Sequence, residues 1–379
     1  MREYALVLVV TAAVTFLVTP LTRQLAVRIG AMAAVRDRDV HMTPTPRLGG
    51  VAMLAGLAAG LLVAAQLPFL SSVSRDYGDP RAVLLAGLVI CLLGAIDDRW
   101  PIDAITKLAG QVVAAGVMVL LGIQLSFALL PSGETVTLGP ETAVPLTVLL
   151  TVLLVNAMNF IDGLDGLAAG MAGIAALAEF AYSYQIAVTN GFYRATPATL
   201  LATVTAGVCL GFLPHNVNPA RQFMGDSGSM LIGLLLAASV ISVTGEVSLG
   251  GTAGGEALPS LIPLAVPLLV LFVPFVDLLL AVIRRTRAGR SPFSPDKLHL
   301  HHRLLEIGHS QRRAVGLLWF WAALLGFGGV IASFSSTPGV VILVVAVLSA
   351  LSLLVVRAPT RRPRLGGRVG TRASGAGSQ

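Results

Sequence analysis

Charge is scarce in this chain: only 12% of its 379 residues are Asp, Glu, Lys or Arg, about half the share in an ordinary soluble domain. So little charge does not coat a soluble globule of this size, and 55% of the residues are hydrophobic. Cysteine is nearly missing. Cys91 and Cys209 both sit inside apolar runs, so no disulfide framework is implied. Polar–apolar alternation is lacking too; the apolar stretches are continuous, which favours spanning helices over a barrel. The first of them, from Tyr4 to about Leu21, has neither a basic lead-in nor a small-residue cleavage site. It reads as a retained span rather than a signal peptide.

What is present is a series of apolar runs near twenty residues, the length that a hydrocarbon slab of about 30 Å requires of a helix. The expected fold is an all-α polytopic membrane protein of about eleven spans. They are placed near 4–21, 49–70, 82–96, 106–124, 144–160, 167–187, 197–213, 229–247, 259–283, 314–335 and 338–356. Alternate connections hold 22 of the 26 Lys and Arg; the others hold only Arg2, Arg75, Arg81 and Arg194. The positive-inside rule then sets the basic connections in the cytoplasm, the amino terminus outside and the carboxyl terminus inside. It also accounts for the net charge of +7 without a nucleic-acid partner. Residues 1–356 form the membrane domain, and 357–379, rich in Arg, Gly and Ser, are expected to be a disordered cytoplasmic tail resting on anionic lipid. No strong internal repeat is visible.

Polar residues gather on the cytoplasmic side in five segments: 41–50, 97–100, 156–166, 215–228 and 296–303. Ionisable groups at span ends are costly, so five such segments on one face suggest one composite site. Asp97 and Asp98 end the third run; two adjacent carboxylates need a cation or a proton nearby. They read either as a general base with a phosphate- or metal-positioning partner, or as a charged pair that caps the next helix or snorkels into water. Lys107 is a candidate phosphate ligand or an interfacial anchor. Asn156, Asn159, Asp162 and Asp165 recur every third residue, a polar stripe on a helix that Gly163 and Gly166 should loosen. Its oxygen donors suit Mg²⁺, or Mn²⁺ in its place, rather than zinc; a structural hydrogen-bond network is the plainer alternative. Asp226, in Met-Gly-Asp-Ser-Gly-Ser-Met just before another span, is the best single metal ligand or else a helix cap. His299, His301, His302 and Arg303 make a basic patch suited to phosphate. Asp277 is either a partner for Arg284 or a supporting acid.

With these motifs in order, the chain resembles the polyprenyl-phosphate N-acetylhexosamine-1-phosphate transferases. The resemblance runs from about Arg36 to Arg303. It rests on Asp-Asp-Arg-Trp followed by Lys107 and Gln111, on Asn-Phe-Ile-Asp-Gly-Leu-Asp-Gly from Asn159, on Phe-Met-Gly-Asp-Ser-Gly from Phe223, and on His-Leu-His-His. It implies Mg²⁺-dependent attack of a polyprenyl phosphate on the β-phosphate of a UDP-sugar, releasing UMP. Asp97 is then the favoured base, Asp226 the principal Mg²⁺ ligand and Asn159 its neighbour at the metal or diphosphate. Asp162 and Asp165 would lie near the nucleotide, Phe223 would stack on uracil, Asn216 would line the same pocket, and the three histidines would contact phosphate or sugar.

The Pro-Thr-Pro-Arg-Leu-Gly-Gly segment containing Arg47, and His-Leu-His-His in place of three consecutive histidines, resemble the GlcNAc-1-phosphate branch. UDP-GlcNAc and decaprenyl or undecaprenyl phosphate are the expected substrates, for the first membrane step of a cell-envelope glycan; UDP-MurNAc-pentapeptide, of the peptidoglycan branch, is the runner-up. Whether the protein is a monomer or a homodimer is left open. A secondary transporter would also have about eleven spans and intramembrane acids, but it needs polar groups reaching both faces.

Overall fold

The computed structural model describes residues 1–33, 44–71, 80–129, 135–189, 191, 193–247 and 309–357, together with scattered positions between 265 and 289. Among them are ten α-helices: α1 Arg2–Ile29, α2 Gly49–Ala64, α3 Pro80–Arg99, α4 Ala104–Leu120, α5 Pro140–Ile161, α6 Leu167–Tyr184, α7 Thr196–Asn216, α8 Gly225–Val247, α9 Gln311–Phe334 and α10 Pro338–Arg357. Seven helical segments are long and apolar enough to cross a membrane, while α2, α4 and the apolar part of α10 are shorter. The all-α polytopic expectation holds at this level. The expected span 259–283 falls largely outside the described residues, as does the tail beyond Arg357. Two small antiparallel ladders join the helices, β1 Met32–Ala33 with β2 Thr45–Pro46 and β3 Phe127–Leu129 with β4 Thr135–Thr137.

Several boundaries differ from the hydropathy reading for local reasons. Helix α1 runs eight residues beyond Leu21 although Pro20 lies inside it. Proline removes one backbone donor, which orphans the carbonyl four residues earlier. That carbonyl, on Phe16, is met by His215 Nε2 at 3.1 Å. The helix stops at Gly30, whose φ of 73° suits glycine in a left-handed carboxyl-terminal cap. Helix α3 continues through Asp97 and Asp98 to Arg99, so both acids occupy its last turn. Helix α4 begins where Asp103 caps it, its carboxylate accepting from the Ile105 and Thr106 amides at 3.0 Å each.

Helix α8 is the axis of the bundle. Its spanning segment is 89% buried, against 28% for that of α1, and α2, α3, α5, α6 and α7 all pack on it. Small residues permit the close approaches. A Cβ on Gly50 of α2 or Gly94 of α3 would collide with the backbone of Ser227 at the start of α8. On the opposite side of α2, Thr11 and Thr15 of α1 press against Gly60 and Gly56. Two of the α1 threonine hydroxyls bond their own helix, Thr15 Oγ1 donating to Thr11 O at 2.9 Å and Thr19 Oγ1 to Thr15 O at 2.6 Å.

The Gly94→Val substitution is expected to overpack the α3–α8 contact and cost about 1–3 kcal/mol, read as a lowered thermal midpoint in detergent. Gly116→Val, at a helical position with nothing within 4 Å of its would-be Cβ, should leave the midpoint within a degree or two of the parent.

Candidate active site

The first turn of any helix leaves backbone N–H groups without intrahelical partners and carries partial positive charge. At α8 those groups face Asp98. Its carboxylate accepts from Asp226 N at 2.9 Å, Ser227 N at 3.3 Å and Ser227 Oγ at 2.8 Å. The Asp98 side chain is fully buried, with the Arg47 guanidinium 3.9 Å away. Gly225, with φ of 67°, brings the chain in so tightly that a Cβ there would strike the same carboxylate. Asp98 is therefore placed as a cap on α8, supplied from a neighbouring helix, whereas the next helix in the chain is capped by Asp103.

Asp97, one residue earlier and about 100° around the helix, points elsewhere. Its Oδ1 accepts from Ile102 N at 2.8 Å, and its Oδ2 lies 3.0 Å from Lys107 Nζ. The same ammonium pairs closely with Asp226 Oδ2. All three side chains keep 15–23% exposure, enough to meet a ligand from the aqueous side. Asn159 joins them from α5 through Ser229, one turn along α8 from Asp226: its Nδ2 donates to Ser229 Oγ at 2.9 Å. That geometry leaves the amide oxygen as a further hard donor. Among the described residues no three His, Cys, Asp or Glu side chains come close enough to cage a metal by themselves. Mg²⁺ does not require a cage, because it is commonly held by one or two carboxylates with substrate phosphates and waters. The oxygens of Asp226 and Asn159 fit that demand.

The every-third-residue stripe is divided by the structure. Asn156 donates to Gln111 Oε1 at 2.7 Å between α5 and α4, and Asn159 faces α8. Helix α5 then ends at Ile161, so Asp162 and Asp165 lie in the turn before α6, where Gly166 has φ of 76°. Burial, and secondarily the charges of Asp98 and Asp165, push the Asp162 carboxyl up to about 7 against the opposing field of Arg47. Asp165 is buried and accepts from Asn218 Nδ2 at 2.9 Å and Ala220 N at 3.0 Å. Asn216 is likewise engaged at both ends of its amide. Its Oδ1 accepts from Gly166 N and its Nδ2 donates to Gln222 O, each at 3.0 Å. It thus holds the turn before α6 against the loop before α8, rather than standing open as a pocket wall. Phe223 has its backbone pinned, N to Pro46 O at 2.8 Å and O to Gly49 N at 3.2 Å, with Gly50 N reaching Met224 O at 3.1 Å.

Four of the five polar segments thus meet where α1, α3, α5 and α7 end and α2, α4, α6 and α8 begin. The fifth, with His299, His301, His302 and Arg303, lies outside the described residues, as do Asp277 and Arg284. Sequence reading passed over Ser227, Ser229, Gln222, Asn218 and Gln311. The first four lie inside the 215–228 segment or beside Asp226 and were findable as polar residues in an apolar setting; Gln311 carried no local signal.

Replacing Asp98 by Asn would turn an amide donor toward backbone donors and strip the cap of its charge. The expected loss is about 2 kcal/mol or more of stability, measured as the thermal midpoint, whereas Asp97→Asn at its partly exposed position should shift it by less than half as much.

A family model for glycosyl transferase family 4 matches residues 81–244, the stretch that holds Asp97, Asp98, Lys107, Asn159 and Asp226. The decaprenyl-phosphate N-acetylglucosaminephosphotransferase of Mycolicibacterium smegmatis is 46% identical over 368 residues, covering 96% of this chain and 90% of that protein. The protein of the same name from Mycobacterium tuberculosis is 47% identical over 334 residues, covering 86% and 82%. An undecaprenyl-phosphate alpha-N-acetylglucosaminyl 1-phosphate transferase of Salmonella typhimurium is 29% identical over 342 residues, covering 87% and 84%. The motifs, the helical membrane bundle and this likeness along nearly the whole chain agree: it belongs to glycosyl transferase family 4, among the polyprenyl-phosphate N-acetylhexosamine-1-phosphate transferases.

Proposed function

We propose that the protein transfers N-acetylglucosamine-1-phosphate from UDP-GlcNAc to a polyprenyl phosphate and releases UMP. The observation that carries this reading is the Lys107 ammonium held between the Asp97 and Asp226 carboxylates at the end of a membrane bundle. Relatives at 46–47% identity are named for decaprenyl phosphate and N-acetylglucosamine, which favours UDP-GlcNAc over UDP-MurNAc-pentapeptide as donor and decaprenyl phosphate as acceptor.

The reaction must bring two anionic phosphates together, so neutralising charge is its main electrostatic demand. Lys107 binds phosphate oxygen as a point charge, and Arg47, a third exposed, adds a second cation. Asp97 takes the proton from the lipid phosphate, whose oxygen then attacks the β-phosphorus of the donor. The bond from that phosphorus to the bridging oxygen breaks, and UMP leaves with the electron pair. Asp226 and the Asn159 amide oxygen would hold Mg²⁺, which when bound supplies further neutralisation of the diphosphate. Asp162 and Asp165 border the nucleoside, Phe223 stacks on its base, and His299, His301, His302 and Arg303 contact phosphate or sugar.

The geometry of the lipid supports a membrane setting, since its tail stays in the bilayer while its phosphate meets a soluble nucleotide. The distribution of basic residues supports eleven spans in the cell membrane, with the site and carboxyl terminus cytoplasmic and the amino terminus outside.

Purified protein with UDP-GlcNAc, decaprenyl phosphate and Mg²⁺ is expected to release UMP and form a lipid-linked sugar, and chelation by EDTA should abolish turnover. Activity with UDP-MurNAc-pentapeptide alone, or metal-independent turnover, would contradict the reading. Asp226→Asn and Asp97→Asn should each lower kcat about 100-fold or more with thermal midpoints retained; near-normal rates would remove those residues from the chemistry.

A further inference from the structure

Gln311 is the first residue of α9, and only 7% of it is exposed. A glutamine at the start of a surface-ended helix is ordinarily solvated, so its burial calls for a partner. That partner lies 93 residues away: Gln311 Oε1 accepts from Asn218 Nδ2 at 2.7 Å. An asparagine amide has two N–H donors, and Asn218 directs this group to both Gln311 Oε1 and Asp165 Oδ2, the latter at 2.9 Å. The adjacent Arg312 closes the arrangement, its Nε donating to Asn218 O at 2.7 Å. Ser310 fixes the helix start itself, its Oγ accepting from Arg313 N at 3.3 Å. The loop 217–224 between α7 and α8 is thus gripped at Asn218 by both the turn before α6 and the head of α9.

Other ties act farther along the same chain, where Ala220 N donates to Asp165 Oδ2 and the Phe223 backbone pairs with Pro46 and Gly49. Asp226 and Ser227 are tied to Asp98, independently of Gln311. Loss of the Gln311 and Arg312 contacts would therefore free the Asn218 amide to turn away from Asp165, while the backbones of Phe223 and Asp226 stay anchored.

We propose that Gln311, with Arg312, is a positioning residue for donor binding, acting through Asn218 to orient the Asp165 carboxylate at the nucleoside end of the site. The assignment rests on UDP-GlcNAc being the donor. A carboxylate that holds its binding orientation only part of the time weakens apparent affinity by that fraction, so the effect falls on donor binding. Neither the chemical step nor the acceptor lipid feels it.

The test uses full-length purified protein, steady-state kinetics with UDP-GlcNAc and decaprenyl phosphate, and calorimetric titration with UDP. Gln311→Leu, which keeps the bulk and removes the acceptor oxygen, is expected to raise the UDP-GlcNAc KM about tenfold and weaken UDP by a similar factor. The kcat and the lipid KM should stay within twofold. Arg312→Ala, at an exposed position where folding is not at stake, should raise the donor KM about threefold with the same split, and it decides the matter if Gln311→Leu does not fold. Unchanged donor KM and UDP affinity in the variants, or a fall in kcat without a change in KM, would overturn the inference while the wild-type enzyme still turns over. A wild-type protein that neither binds UDP nor uses UDP-GlcNAc would overturn the donor assignment, and this inference with it.

Discussion

The buried carboxylate of Asp98 against the amino terminus of α8 is the contact on which the site depends. A charge at that depth is tolerated because it is matched by two backbone donors, a hydroxyl and the nearby Arg47 guanidinium. In return it fixes where the most enclosed helix of the bundle begins. Asp226 is the second residue of that helix, so its position, and that of the Lys107 pair it shares with Asp97, follows from the cap. Gly50, Gly94 and Gly225 serve the same contact by letting three backbones approach without side chains between them.

Two adjacent aspartates thus perform separate tasks. Asp98 is dry and gives its oxygens to the fold; Asp97 remains wet enough to meet a phosphate. The rotation of about 100° between successive helical residues is sufficient to separate them. The same economy appears in the 215–228 segment, where Asn216, Asn218 and Gln222 give their amides to neighbouring elements while Asp226 keeps its carboxylate for Lys107. In the proposed reaction, a rigid frame of this kind holds phosphate-binding groups in place without reorganisation as charge moves.

Most of the helical framework was legible in the sequence because hydrocarbon thickness imposes length and continuity on apolar runs. The convergence of polar segments was legible for a related reason: membrane topology sorts loops into two ends, and chemistry-bearing residues had gathered at one. Which aspartate is buried against α8 and which stays partly exposed was not legible, because adjacency does not say which face of α3 each one takes. The extension of α1 past Pro20 depended on a distant His215 meeting the orphaned Phe16 carbonyl, which no local pattern announces. The partners that engage Asp165 and Asn216, namely Asn218, Gln222 and Gly166, were not legible, because the polar stripe does not show which amide meets which carboxylate. Gln311 was invisible for the same reason, its significance residing wholly in a contact across 93 residues.

Hydrogen exchange at single amides tests the central contact most directly. First-turn amides of a helix normally exchange fast, having no acceptor within their own helix. The amides of Asp226 and Ser227 are expected to exchange at least about 100-fold more slowly than an open loop, in protein without substrate, because the Asp98 oxygens accept from both. Exchange of those two amides at the unprotected rate, in a folded protein, would contradict the account.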